Sequence, residues 1–123
     1  MDFKDLMVGD LVYVVRGYDK HLTIEKIKGV IEDEDKPYPV TIFTGETVSL
    51  NGIKPIPLTE DILLKNGFVK TWNGDWQLKE YATIIISKDY YVKIFERSIR
   101  IDYIHELQHM LHAACVEKEL VIV

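Results

Sequence analysis

Short β-branched and aromatic runs, separated by closely spaced turn signals, constrain the first half of this 123-residue chain most strongly. Residues 11–15 follow the turn signal Gly9-Asp10, and residues 22–31 form a second run with a break at Gly29. Residues 40–43 and 47–50 are two further runs. Residues 53–58 contain two prolines, which places them on the edge of a sheet. Residues 5–57 therefore predict four or five short strands in a small antiparallel, barrel-like sheet of SH3-like size.

The second half begins with a short, well-delimited helix. Thr59 is a good N-cap, and acidic residues follow it in the first turn, where the helix dipole favours negative charge. Asn66-Gly67 ends the helix, because glycine readily adopts the left-handed conformation of a C-terminal cap. Phe68 is expected to pack back on Leu63. A helix this short is stable only when it is docked.

An antiparallel meander and a second helix are predicted after it. Asn73-Gly74 indicates a two-residue hairpin turn, which would place Thr71 opposite Trp76. A second hairpin crosses residues 87–89, a short strand at residues 98–101 leads into a helix with Asp102 as its N-cap, and residues 119–123 form a final strand. The predicted fold class is α+β, a single compact domain with lobes at about residues 1–57 and 58–123, and with the C-terminal helix packed on the meander.

The second helix carries the string His-Glu-Leu-Gln-His, which matches the zinc-binding pattern H-E-x-x-H. Residues four apart share a helix face, so His105 and His109 would ligate zinc and Glu106 would act as general base. On a helical wheel, however, the histidine side, which includes His112, lies roughly 130–170° from the centre of the apolar arc. The prediction is therefore that the histidines face water. A zinc site with hydrolase chemistry is the alternative interpretation.

The extended zinc pattern needs glycine and histidine at positions where this chain has His112 and Cys115. A third ligand is consequently missing from the pattern. Cys115 falls on the apolar arc and is predicted to be a small buried core residue. As the single cysteine it allows no intrachain disulfide.

Two other sequence features have a binding interpretation. Trp72 and Trp76 flank the Asn-Gly turn and could stack on a ligand, although such residues more often cover a sheet surface. Residues 32–35 are four consecutive carboxylates, but they lack the glycine and the distant glutamate of a calcium loop. They are expected to form a solvated loop.

The formal net charge of −5 and the absence of a basic cluster speak against a nucleic-acid partner, since phosphate binding needs lysine and arginine. The chain starts with polar residues, and its apolar runs are too short to span a membrane. A cytoplasmic location is expected.

Three groups of strings taken together point to a known family: DLMVGD with VYV near the start, IPLTE with KNGF in the middle, and IDYIHELQ near the end. In this combination the chain resembles a family of small uncharacterised proteins common in Bacteroides and related gut bacteria, often in phage or mobile-element contexts. The resemblance covers nearly the whole chain and implies no assigned activity. It implies a structural or contact role for His105 and Gln108, because asparagine can stand where His109 does.

The function predicted first is a non-enzymatic interaction or structural module that binds a protein partner or itself and needs no cofactor. The alternatives are the zinc-dependent hydrolase described above and a nucleic-acid-binding accessory protein. The candidates for a binding role are Trp72, Trp76, His105 and Gln108.

Overall fold

The structure is a computed structural model that describes residues 6–31, 39–81, 83–94, 97–116 and 118–122. Its contacts divide the chain into two units, Met1–Ile56 and Pro57–Val123. That the two units form a single compact domain stays a prediction. The acidic residues 32–35 lie outside the described residues.

Unit 1 is an antiparallel sheet with the strand order β4-β3-β2-β1-β5. The strands are β1 (Leu11–Arg16), β2 (His21–Val30), β3 (Val40–Ile42), β4 (Thr47–Val48) and β5 (Ile53–Lys54), with a short 3-10 helix, Leu50–Gly52, before β5. The predicted short strands are confirmed. As expected for the proline-containing segment, β5 is an edge strand. The SH3-like barrel stays a prediction, because the described strands form an open row.

One face of this sheet supplies the core of unit 1. Val12 and Val14 alternate with half-buried neighbours along β1, as a strand with one covered face requires. The core cluster comprises Leu6, Val12, Val14, Ile27, Val40, Ile42 and Ile53. The predicted break at Gly29 is a register shift: Ile27 pairs with Ile42, but Gly29 pairs with Thr41. Such an irregularity bends the strand without ending it.

A charged cluster lies at one end of the β1–β2 hairpin. The Arg16 guanidinium contacts Glu46 at 2.5 Å and Glu25 at 3.5 Å, and its Nε donates to the Thr23 hydroxyl at 3.1 Å. The hydrogen bond from Arg16 lowers the pKa of Glu46 below its usual value. The same partner raises the pKa of the arginine. This pair joins the end of β1 to the loop that precedes β4.

Unit 2 combines a second antiparallel sheet with two helices, which confirms the α+β class. Its sheet has the order β10-β9-β8-β7-β6, so each strand pairs with its neighbour in sequence. The elements are α1 (Glu60–Lys65), β6 (Phe68–Lys70), β7 (Trp76–Leu78), β8 (Ile85–Ile86), β9 (Tyr91–Ile94), β10 (Arg97–Arg100) and α2 (Ile104–Ala113). The register aligns Trp76, Ile86, Val92 and Ile99 in one row across four strands.

The predicted ends of α1 are confirmed. The Thr59 hydroxyl accepts the amide of Ile62 at 3.4 Å, and Glu60 and Asp61 occupy the first turn. Gly67 has a φ of 84°, the left-handed conformation that ends the helix, and its amide donates to the carbonyl of Leu64. The next residue, Phe68, is buried.

The β6–β7 hairpin turn is one residue longer than predicted. Lys70 pairs with Trp76, so Thr71 lies opposite Asp75 and the loop contains three residues. The amide of Gly74 donates to the Thr71 carbonyl, and only Gly74 in this loop has a positive φ. A two-residue type I′ turn would need a positive φ at both central residues, whereas a type I turn followed by one left-handed residue needs one.

The same hydrogen-bond pattern recurs at two other hairpins. Gly45 closes the β3–β4 turn and Tyr90 closes the β8–β9 turn, each by donating to the carbonyl three residues earlier. Tyr90 has a φ of 65°, in a position where the other two turns have glycine. Burial, followed by the nearby Glu60 carboxylate, raises the pKa of the Tyr90 phenol.

The C-terminal segment does not form the predicted strand over its described residues. It is attached by a side chain: Asn66 accepts the amide of Val121 and donates to its carbonyl, each at 2.7 Å. The Asn66 amide nitrogen also donates to the Ile62 carbonyl at 2.7 Å. Residues 118–122 therefore dock on the end of α1, where a single asparagine satisfies the backbone groups that a strand would have paired.

Candidate functional site

The start of α2 is organised by Glu106, the central residue of the H-E-x-x-H string. Its carboxylate oxygen Oε1 accepts the amides of Asp102 and Tyr103, each at 3.0 Å. Tyr103 is the N-cap, so the predicted N-cap at Asp102 is wrong. Asp102 instead accepts a 2.7 Å hydrogen bond from the Nε of Arg100. Glu106 thus acts as the N3 residue of a capping box, whose side chain accepts backbone amides that precede the helix.

The three histidines differ in their exposure, and the prediction that all face water is wrong. His105 is buried, with 5% of its surface exposed, while His109 is half-buried and His112 is exposed. The ring of Tyr103 stacks on His105 with 5.9 Å between centroids and 9° between planes, and His109 meets it edge-on at 5.6 Å. A helical wheel cannot place the N-cap residue, and here the N-cap ring covers the imidazole.

A zinc site would use His105 and His109 as ligands and Glu106 as base. Within the described ranges, no group of three or more histidine, cysteine, aspartate or glutamate side chains is placed to hold a metal ion. The oxygen Oε1 of Glu106 already accepts two backbone amides. The geometry around the string is therefore that of a helix start, with one carboxylate as cap and two imidazoles in mutual ring contact.

The end of α2 overturns the prediction for Cys115. The helix stops at Ala113, and Cys115 has a φ of 59°. The amide of Cys115 donates to the His112 carbonyl at 3.0 Å, and that of Val116 donates to the Leu111 carbonyl at 2.8 Å. These two bonds form a Schellman motif with cysteine at the left-handed position. Cys115 is exposed because it lies beyond the helix, where the helical wheel no longer applies.

A pocket of about 300 Å³ lies between α2 and the end of β10. Its lining is mainly aliphatic, with one carboxylate and one imidazole from the H-E-x-x-H string. The residues are Ile99, Ile101, Glu106, His109, Met110 and Ala113. We call this set the β10–α2 groove. Ile101 and Met110 are buried, while Ile99 keeps 48% of its surface exposed, so the groove offers apolar surface to solvent beside two polar groups.

The strand that borders the groove is the last of its sheet. β10 pairs only with β9 among the described strands, and Ser98, Ile99 and Arg100 are all exposed. Ile99 is aligned with Val92, so its side chain points to the same face as the row of buried residues. Ser98 and Arg100 point to the opposite face, where the Arg100 guanidinium lies over the Tyr91 ring at 5.6 Å.

The two tryptophans do not form a joint stacking surface. Trp76 is buried in the sheet of unit 2, and the Lys70 ammonium lies 5.7 Å from the centre of its ring. Trp72 is 98% exposed at the tip of the β6–β7 turn. Trp72 lies in the three-residue loop, whereas Trp76 pairs with Lys70 in the sheet. Gln108, the remaining candidate, is half-buried on α2.

Sequence reasoning missed the aliphatic half of the groove. Ile99 and Met110 belong to a strand and a helix that were predicted, but no periodic pattern shows that a gap remains between two packed elements. The alternation of Ser98, Ile99 and Arg100 immediately before the helix was the available signal.

Within the described residues, no helix has the length and apolar character needed to cross a membrane. No family model, curated protein or solved structure matches the chain.

Proposed function

We propose that this protein is a non-enzymatic interaction module and that the β10–α2 groove is its contact surface. The observation that carries the proposal is the half-exposed Ile99 beside a mainly aliphatic pocket of about 300 Å³. Exposed apolar surface that is concave and rimmed by polar groups is typical of binding sites. Glu106 and His109 supply such groups in the groove.

The hydrogen bonds of Glu106 give this residue a structural task at the start of α2, which supports a binding role. Here Oε1 accepts two backbone amides, which orients the carboxylate toward the start of the helix. The same contacts order the start of α2, which supplies part of the groove lining.

The expected setting belongs to this proposal as well. It comprises a cytoplasmic location, membership of the bacterial family with phage or mobile-element links, and a protein partner or a second copy in preference to nucleic acid. The formal charge of −5 supports the last point, since an acidic chain repels phosphate.

The proposal is tested by two matched glutamate substitutions of half-exposed aliphatic residues. Ile99→Glu places a charge in the groove, and Val69→Glu places one on β6, the opposite edge of the same sheet. Proteins that co-purify with the wild type are identified by mass spectrometry, and each pair is then rebuilt from purified components; light scattering of the chain alone measures self-association. A partner or dimer that survives Val69→Glu and is lost with Ile99→Glu supports the proposal. Equal behaviour of the two variants overturns it.

A further inference from the structure

The backbone of β10 has hydrogen-bonding groups directed away from its sheet. The amide of Ile101 donates to the Tyr90 carbonyl at 2.7 Å, which makes this a hydrogen-bonded pair. Such pairs alternate along an antiparallel ladder, so Ile99 bonds to Val92 and the intervening residues do not face β9. The amides and carbonyls of Ser98 and Arg100 therefore point away from β9. At the next residue in this alternation, Asp102, the carbonyl accepts the amide of Leu58 at 2.9 Å, so the open part of the edge ends at Arg100. Among the described residues, no backbone hydrogen bond outside the helices and strands uses the amide or carbonyl of Ser98 or Arg100.

The groove lies beside this open edge. Ile99 is both the central residue of β10 and part of the groove lining. Alternate side chains of an added strand would point to the face that carries Ile99, at a repeat of about 6.6 Å. One apolar side chain of that strand would then reach the space between Ile99, Met110 and Ala113. The backbone edge and the pocket thus fit the same extended occupant.

Charge indicates which kind of strand fits. The sequence of β10, Arg-Ser-Ile-Arg, contains two arginines and no acidic residue, in a chain whose net charge is −5. On the neighbouring strand, Lys93 pairs with Ser98 and is exposed. Asp102 offsets part of this charge through its bond to Arg100. Pairing β10 with β10 of a second copy would bring Arg100 of each copy to one seam, where β10 offers no acidic residue to pair with it, and like charges across strands are destabilising.

We propose that an extended acidic segment of a partner protein adds to β10 as a further strand and places an apolar side chain in the β10–α2 groove. This inference rests on the proposed function and names its partner class. Backbone hydrogen bonds to Ser98 and Arg100 would supply much of the affinity, and the groove and the arginines would supply the selectivity. Acidic side chains at alternate positions would point to the face that carries Arg100, which is also the face of Lys93 on β9.

The test uses a capped peptide about eight residues long, of alternating valine and glutamate, with the valine–lysine peptide as its matched control. Binding is followed through the amide signals of the isotope-labelled full chain by NMR titration. The expected result is that the glutamate peptide shifts the amides of Ser98 and Arg100 and binds at least about tenfold more tightly than the lysine peptide. Equal binding of both peptides, or shifts confined to other parts of the chain, would overturn the inference.

Two substitutions at one position separate the backbone contact from the side chain. Ser98→Pro removes an amide that points away from β9, and proline is tolerated on an edge strand in that orientation. Ser98→Ala keeps the amide and removes only the hydroxyl. We expect Ser98→Pro to weaken binding at least about tenfold and Ser98→Ala to bind like the wild type. Equal affinities for these two variants would refute strand addition.

A second measurement leaves the protein unchanged, in case the proline variant does not fold. Peptides N-methylated at odd or at even positions differ only in which amides they can donate. A strand added to β10 donates every second amide, so the two peptides should differ at least about tenfold in affinity. Similar affinities would contradict the proposal.

The outcomes distinguish this inference from the proposed function. If no peptide binds while a co-purifying partner is lost with Ile99→Glu, the groove is a contact surface and the acidic strand is wrong. If light scattering shows a dimer without peptide that Ser98→Pro dissociates, the occupant is a second copy and the inference falls. If Ile99→Glu and Val69→Glu also behave alike, the proposed function falls with it.

Discussion

The side chain of Asn66 and the backbone of Val121 are joined by two hydrogen bonds of 2.7 Å, one in each direction. Asn66 is 3% exposed, and its second amide proton goes to the Ile62 carbonyl. The hydrogen bonds of one buried side chain thereby join the backbone of its own helix, at Ile62, to the backbone of Val121, which lies 55 residues after Asn66 in sequence.

Replacing Asn66 with alanine should be among the more damaging single changes in unit 2. It removes three hydrogen bonds and leaves backbone groups of Ile62 and Val121 to find new partners. We expect Asn66→Ala to lower the free energy of unfolding by about 2–3 kcal/mol in urea titrations. Hydrogen exchange at the Val121 amide should accelerate more than this global loss explains.

The matched control for that change is Asn51→Ala. Asn51 is an exposed asparagine in the 3-10 helix of unit 1, and its loss should change stability by no more than about 0.5 kcal/mol. A similar small effect of Asn66→Ala would show that residues 118–122 are held by other contacts.

Substitutions of Glu106 separate the hydrogen-bond acceptor of the helix cap from its negative charge. Glutamine keeps the oxygen that accepts the amides of Asp102 and Tyr103, whereas alanine removes it. Because both glutamate and glutamine serve in a capping box, Glu106→Gln should cost under about 0.5 kcal/mol and Glu106→Ala about 1 kcal/mol in thermal or urea unfolding. Equal and large losses would show that the negative charge itself, and not the acceptor, stabilises the helix start.

Cys115 should be replaceable with a gain in stability. A side chain at a left-handed C-terminal position costs roughly 1–2 kcal/mol relative to glycine, and glycine gives back part of this through greater freedom in the unfolded chain. We expect Cys115→Gly to stabilise the protein by about 0.5–1 kcal/mol. The β-branched variant Cys115→Val should destabilise it. In the wild type, the exposed thiol should react with a disulfide reagent without unfolding. A thiol that reacts only in denaturant would contradict the exposed position.

The Arg16–Glu46 pair should give unit 1 a component of stability that depends on pH. The folded pKa of Glu46 lies below its ordinary value of 4.5, because Arg16 donates a hydrogen bond to the ionised carboxylate. The contribution is therefore present above about pH 4.5 and is lost as the pH falls through the lowered pKa. Melts from pH 7 to pH 3 should fall less steeply for Glu46→Gln than for the wild type.

A double substitution tests whether the pair is responsible. Arg16→Gln should likewise reduce the loss of stability between pH 7 and pH 3, and adding Glu46→Gln to it should reduce that loss no further. Added salt should reduce the difference, as it does for exposed ion pairs. If the two substitutions instead had additive effects on the loss of stability between pH 7 and pH 3, the Arg16–Glu46 pair would not be responsible for it.

Local signals in the sequence were sufficient for the helix α1 and for most strands. Thr59, Gly67 and the alternation around Val12 and Val14 act within a few residues, and the structure has the corresponding elements. The turn at Asn73-Gly74 shows where such reasoning stops. The dipeptide fixes the place of the turn, but the pairing of Lys70 with Trp76 depends on which face of the strand is buried.

The candidate site was less predictable because it depends on where α2 begins and ends. A shift of the N-cap from Asp102 to Tyr103 brings an aromatic ring onto His105, and a stop at Ala113 moves Cys115 into solvent. Helix ends are the part of a helix that sequence patterns locate least accurately. A misplaced end changes which residues are assigned to the buried and the exposed side of the helix. The groove itself arises from two elements packed side by side, which no single segment encodes.

The consecutive order of strands in unit 2 has a kinetic consequence. Each strand from β6 to β10 pairs with the strand that precedes or follows it, so loop closure costs little entropy at every step. Low contact order favours fast folding. In unit 1, by contrast, the pairing of Val14 with Ile53 requires the closure of a loop of nearly forty residues. Stopped-flow refolding should therefore show β5 joining its sheet after the β6–β10 hairpins have formed.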